Sequence, residues 1–177
     1  MRSDQQLLTR IAEGDREAFQ TFYERHAERV LRFAWRVVRG LHLAEEVLQE
    51  TMMVVWSDAA RFQGRSKATT WLLGIARNLS HNLLRREARG DRLPETSHVE
   101  ADPSEDALRS VRVEEALERL TPNHREVFHL VFYEELTLRE TAEVLDIPEG
   151  TVKSRMHHAR RALAKELQCT TAKPSAN

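Results

Sequence analysis

Apolar residues recur every three or four positions along almost the whole chain, and no stretch alternates convincingly at period two, so the pattern predicts an all-α protein. A first helix is expected over about residues 4–13, ending at Gly14. Asp15 then caps a longer helix that stops at Gly40, with Phe19, Phe22, Tyr23, Val30, Phe33, Ala34, Val37 and Val38 on one broad stripe. A third helix is expected over 43–57, with Val47, Leu48, Thr51, Val54 and Val55 inward. A fourth, over 68–89, turns Leu72, Ile75, Ala76, Leu79 and Leu83 inward and carries Trp71 on its flank. Trp35, Trp56 and Trp71 read as core.

The periodicity then breaks. Residues 90–110 hold two prolines, few large apolar side chains, and the acids Asp91, Glu95, Glu100, Asp102, Glu105 and Asp106 against Arg92 and Arg109, a net −4. That composition predicts a solvated, flexible linker. Helical spacing resumes beyond it and is lost again past Glu166. The expected organisation is two small helical domains, 1–90 and 111–168, joined by an acidic flexible linker at 91–110 and followed by a disordered tail at 169–177.

Boundary signals in the second domain are clear. Thr121 is placed to cap a helix with Pro122 at its first position, where the missing N–H costs nothing. Thr137 and Glu140 have the spacing of a capping box. The short helix they open ends at Asp146, Ile147 and Pro148 make the turn, and a last helix starts near Glu149. Two helices around a tight turn, with small Ala142 at the close approach, form a helix-turn-helix pattern.

On the wheel of the last helix Val152, Met156, Ala159 and Leu163 fall on one narrow stripe, and the far side carries Lys153, Ser154, His157, His158, Arg160 and Arg161. Over 149–165 five bases face one acid, a local +4. In a helix-turn-helix the second helix enters the major groove by its N-terminus, so Lys153, Ser154, His157 and His158 would reach base edges. Arg155, Arg160 and Arg161 would lie nearer phosphates. The bland alternative is a solvated amphipathic helix. A zinc site at His157 and His158 is the other rival, opposed by side chains pointing about 100° apart and by the lack of a third ligand at suitable spacing.

The fourth helix repeats the design with Thr70, Arg77, Asn78, His81, Asn82 and Arg85 opposite its apolar stripe. These are side chains suited to phosphates or unpaired bases. Before it, the loop from Phe62 through Gly64, Arg65, Ser66 and Lys67 fits either a plain turn or a pocket for an extruded base. The third helix instead exposes Glu45, Glu46, Gln49 and Glu50, which repel DNA and suit a basic protein partner or water.

Charge and composition change this picture only through their distribution. The 177 residues hold 27 Lys and Arg against 28 Asp and Glu, so a net −1 hides both basic faces. Cys169 is the lone cysteine, which excludes an intrachain disulfide and a thiolate metal cluster. Neither a signal-like N-terminus nor an apolar run of about 18 residues is present, so a soluble, cytoplasmic protein without membrane insertion is expected.

The segments AEEVLQETMMVVW, FQGRSKATTWLLGIARN and EGTVKSRMHHARRAL, in that order around an acidic linker, resemble the bacterial RNA polymerase sigma factors of the extracytoplasmic-function group, over residues 5 to 167. The resemblance implies sigma-2-like and sigma-4-like domains, no catalytic activity, no cofactor and no small-molecule substrate. It implies that Glu45, Glu46, Gln49 and Glu50 meet the β′ clamp coiled coil of core RNA polymerase, with the β flap a second contact. Residues from Phe62 to Thr70, with the helix through Arg85, would capture the minus-10 element, and Lys153, Ser154, His157 and His158 would read the minus-35 element of promoter DNA. The linker would lie in the RNA-path channel, and an anti-sigma factor would hold the protein off.

Departures from the family pattern carry expectations too. Leu43 replaces an acid, which predicts weaker polymerase affinity. Thr141 and Asp146 replace an apolar residue and a glycine, so Asp146 is expected to turn the chain in a strained left-handed conformation. Aromatic residues are absent from 72–92, which predicts strict promoters that melt readily. A stand-alone helix-turn-helix regulator leaves the acidic helix unexplained, and a DNA recombinase would need an α/β domain for which there is no strand signal.

Overall fold

The computed structural model describes residues 3–89, 113 and 115–171, with side chains through Glu166. Among these residues every regular element is helical. The linker at 91–110 and the chain end beyond 171 lie outside the described residues. The chain divides into two compact units, one built on the first four helices and the other on the helices after residue 113.

In the first unit α1 (Asp4–Ala12) opens with a capping box in which Ser3 and Gln6 satisfy each other's backbone amides. Gly14, at φ 84°, turns the chain, and the Asp15 carboxylate accepts the Ala18 amide at 3.0 Å to start α2 (Arg16–Val38). α2 ends one residue before the expected position. Arg39 takes the left-handed conformation at φ 60° and donates its amide to the Trp35 carbonyl at 2.8 Å. Gly40, in extended conformation, then opens α3 (Leu41–Asp58), two residues earlier than the pattern predicted, because the chain has already turned at left-handed Arg39. A 3-10 turn (Ala59–Arg61) and a loop lead to α4 (Ala68–Ala88).

Burial follows most of the predicted stripes. Phe22, Val30, Phe33, Ala34 and Val38 of α2 are buried with Val47, Leu48, Thr51 and Val55 of α3. Phe19, Tyr23, Val37 and Val54 are only half-buried. Trp35, Trp56 and Trp71 are half-buried as well, on the rim of the core. Trp56 meets Phe19 edge to face at 5.3 Å and Trp71 meets Phe62 at 5.4 Å, the tilted geometry that aromatic quadrupoles favour.

One buried polar group joins α1 to α2. The His26 side chain packs on Phe22 at 4.4 Å, and its Nε2 lies 3.1 Å from an Asp4 carboxylate oxygen, out of line for a hydrogen bond. Burial lowers the pKa of His26 more than Asp4 raises it. The folded state therefore holds the ring neutral at neutral pH.

In the second unit helical residues 115–118 lead to Thr121, whose hydroxyl accepts the His124 amide at 3.4 Å and opens α5 (Pro122–Phe132) with Pro122 in the first turn. Arg125 ties α5 to the preceding turn, donating to the carbonyls of Leu117 at 2.9 Å and Leu120 at 3.1 Å. α6 (Leu138–Leu145) starts on the predicted Thr137–Glu140 capping box. Asp146 ends it at φ 52°, as expected from a carboxylate where glycine would be at ease. α7 (Glu149–Thr171) follows and runs past Glu166, so the loss of apolar periodicity there did not mark the helix end. Ala159 and Leu163 of α7 close a core with Ala116, Leu117 and Leu120, flanked by Val113, Phe128, Tyr133 and Ala162. No helix among the described residues is long and apolar enough to cross a membrane.

Two predictions follow from this frame. Because the folded pKa of His26 lies below its ordinary 6.5, the unfolded chain binds the proton first as pH falls. Stability is full above that value and declines below it, so the melting temperature should fall as pH drops below about 6.5 and fall less steeply in His26→Gln. Asp146→Gly should stabilise the fold by about 0.5–1 kcal/mol in urea titrations: relief of the left-handed carboxylate, about 1–2 kcal/mol, exceeds the freer unfolded chain that glycine brings.

Candidate nucleic-acid interfaces

The rotation of α7 is set by what it buries. Val152, Met156, Ala159 and Leu163 are all buried, as the wheel predicted. Lys153, Ser154, His157, His158, Arg160 and Arg161 are consequently exposed, with Arg155 half-buried beside them. Two of these side chains are not independent. The His158 ring stacks on His124 of α5 at 5.8 Å and 22°, and its other neighbour, His157, meets it edge-on at 5.8 Å. The Arg160 guanidinium lies 5.4 Å from the centre of the Phe132 ring, a cation–π distance. His124 was missed in the sequence because it belongs to another helix and no spacing rule ties it to His158. Burial, together with the charges of His158 and Arg155, pushes its pKa down. Among the described residues no group of three or more His, Cys, Asp or Glu is placed to hold a metal ion.

The second basic face is on α4. Asn78, Asn82 and Arg85 are exposed, Arg77 and His81 are half-buried, and Arg85 donates to the Asn82 amide oxygen one turn back. Thr70 corrects the expected face: it is 2% exposed and points into the protein. The buried stripe of α4 runs through Leu72, Leu73, Ala76, Ser80 and Leu83, while Ile75 and Leu79 are half-buried. Thr70 sits about 60° from Leu73 on the wheel, at the edge of that stripe. A hydroxyl flanked by two apolar-compatible positions gave no sign of this in the sequence.

The loop before α4 leans on α1. Gly64 is left-handed at φ 67°, and a Cβ there would stand 2.9 Å from the Gln5 side-chain nitrogen. Arg65 and Lys67 are exposed and Ser66 and Phe62 half-buried. A cavity of about 290 Å³ opens between loop and helix, lined by Gln5, Leu8, Thr9, Ala59, Phe62 and Gln63 among others.

The acidic face of α3 is in place, with Glu45, Gln49 and Glu50 exposed and Glu46 half-buried. Within it lies Met53, 67% exposed, which the sequence reading passed over. Its position was available: Met53 follows Gln49 and Glu50 by four and three residues, the spacing of helical neighbours.

Comparison with known proteins accounts for both units. Residues 22–90 match the family described as "Sigma-70 region 2", and residues 116–165 match "Sigma-70, region 4". The ECF RNA polymerase sigma factor SigK of Mycobacterium tuberculosis H37Rv is 33% identical, with 89% of each chain covered. The RNA polymerase sigma-H factor of Pseudomonas aeruginosa is 32% identical, covering 93% of this chain and 94% of its own. SigW of Bacillus subtilis is 29% identical over 91% of this chain and 95% of its own. Among solved structures, CnrH in complex with the cytosolic domain of CnrY superposes with a TM-score of 0.73 at 25% identity, covering 95% of this chain and 99% of that one. Two basic helix faces on separate units, an acidic helix ahead of both in sequence, and relatives alike over nine-tenths of their length lead to one assignment: the chain belongs to the ECF RNA polymerase sigma factors.

Proposed function

We propose that the three faces divide the work of a promoter-specificity subunit. The α3 face, through Glu45, Glu46, Gln49, Glu50 and the exposed Met53, docks on the β′ clamp of core RNA polymerase. The loop from Phe62 to Lys67, with Arg77, Asn78, His81, Asn82 and Arg85, takes the non-template strand of the minus-10 element, and its cavity is a seat for one extruded base. Lys153, Ser154, His157 and His158 read the minus-35 element while Arg155, Arg160 and Arg161 meet phosphates. The β flap is the remaining contact on the polymerase. The observation that carries this reading is the segregation of charge: α4 and α7 each bury one apolar stripe and present a basic face, whereas α3 presents acids. One polyanion and one basic protein surface together account for all three.

An anti-sigma partner is part of the same proposal. It is supported by the CnrH relative, which was captured with the cytosolic domain of a second protein. Such a partner would keep the chain from polymerase by covering the same faces, in a process that takes place in the cytoplasm. No chemistry is assigned to the chain itself: its work is recognition and placement.

Two experiments test the division. Glu50→Lys combined with Met53→Ser should weaken binding to core polymerase at least about tenfold, since a like charge meets the basic partner and the apolar contact is lost. Unchanged affinity in a fluorescence titration would leave α3 merely solvated. On the DNA side, Lys153→Ala should cost about 1–3 kcal/mol of discrimination at one minus-35 position. Arg161→Ala should instead weaken all sequences alike and lower the log–log salt slope by about one. A flat salt dependence for the unsubstituted holoenzyme would refute the phosphate contacts.

A further inference from the structure

The His124–His158 stack joins two elements that the helix-turn-helix pattern does not connect. His158 is exposed on α7, so its imidazole has the two χ1 wells that a helix allows, and its ring rotation, open to it unless something holds it. His124 is well placed to do so. Its backbone is fixed in the first turn of α5, where Thr121 accepts its amide through both the hydroxyl at 3.4 Å and the carbonyl at 3.0 Å, and Pro122 restricts the turn. The two rings are 5.8 Å apart at 22°, and His157 closes the other side of His158 edge-on at 5.8 Å. Neither ring belongs to the buried core around Leu117 and Leu163, so the contact is not a by-product of core packing.

Electrostatics favours the same arrangement. His124 faces His158 and Arg155, and burial adds to their charges in keeping the His124 ring neutral. A neutral ring stacks on His158 in either of that residue's protonation states without setting two positive charges face to face.

We propose that His124 is a positioning residue for minus-35 recognition, holding the His158 imidazole in one orientation on the groove-facing side of α7. The inference rests on the assignment of α7 as the minus-35 reader and adds to it a residue from outside the helix-turn-helix. His124 need not touch DNA. It narrows the orientations of a side chain that does, so its loss relaxes selection at the base pair His158 reads and at no other.

The test uses holoenzyme reconstituted from the full chain and core RNA polymerase, transcribing a promoter library randomised across the minus-35 element, with transcripts sequenced to give the preference at each position. His158→Ala identifies the position that residue reads, and Lys153→Ala serves as the control for groove reading as such. His124→Ala should relax preference at the His158 position about three- to tenfold, and the double variant should be no worse than His158→Ala alone. His124→Phe, which keeps a flat ring in the stack, should restore the preference, and His124→Asn should not. Thermal melting of each variant separates folding from reading. The inference is overturned if His124→Ala leaves the His158 position unchanged, if its losses add to those of His158→Ala, or if preference falls equally at all positions in step with melting temperature. If Lys153→Ala and His158→Ala both leave every preference intact, the assignment of α7 fails and this inference with it. If only Lys153→Ala relaxes a preference, α7 still reads and the positioning role alone is rejected.

Discussion

The burial of a narrow apolar stripe on α7 is the constraint on which the proposed recognition surface depends. Val152, Met156, Ala159 and Leu163 leave water together, and at 3.6 residues per turn that requirement admits one rotation of the helix. The opposite requirement agrees with it, because guanidinium and ammonium groups are costly to bury without partners. Ala159 has a specific part. Its small side chain, fully buried beside Ala116 and Leu117, lets α7 approach that turn closely enough to bury Leu163 as well. Once the stripe is seated, the outward direction of Lys153, Ser154, His157 and Arg161 follows without further instruction from the sequence.

α4 obeys the same rule with less margin. Its buried stripe is wide enough to include Thr70 and Ser80, whose hydroxyls are tolerated because they are small and, for Ser80, because the hydroxyl donates to the Ala76 carbonyl at 2.8 Å. The outward face that remains is short of lysine and rich in amides. Amides offer both donors and acceptors, so such a face suits unpaired bases better than a uniform phosphate track. The two basic faces thus differ in kind, and the chain's net −1 conceals both, since at physiological ionic strength charges more than about 8 Å apart in solvent are largely screened and a partner meets the local patch.

Much of this was legible in the sequence, and the limits have physical causes. Caps were legible because they depend on neighbours three residues away: Asp15, Thr121 and the Thr137–Glu140 box all stand where the spacing put them, while left-handed Asp146 was legible from the glycine it replaces in the family pattern. Family membership was legible from three motifs in order. Local patterns said less where a position is decided from outside its helix. Gly40 reads as a stop but opens α3, because Arg39 had already taken the left-handed turn. Thr70 has no apolar signature and is buried regardless. α7 continues to Thr171 after its apolar periodicity ends, since hydrogen bonds along a helix do not need a buried face to propagate for another turn. His124 is the extreme case, a residue whose interest lies wholly in a ring brought to it from another helix.

The exposed apolar side chains sharpen the division of labour. Scattered exposed hydrophobics are ordinary on a protein surface and need no explanation singly. Met53 is different in its setting, an unbranched, adaptable side chain one turn beyond the acids of α3. Acids steer a basic partner from a distance and act mainly on the association rate, whereas a desolvated methionine acts on dissociation, so the face proposed to dock on polymerase is suited to a contact that forms quickly and is retained. Phe132 presents a second case: it stays 49% exposed although the Arg160 guanidinium lies 5.4 Å from its ring centre and Phe128 stacks on it at 4.4 Å. The cation–π contact thus sets an exposed aromatic ring directly beside the basic face of α7, so that an apolar and a cationic surface adjoin there.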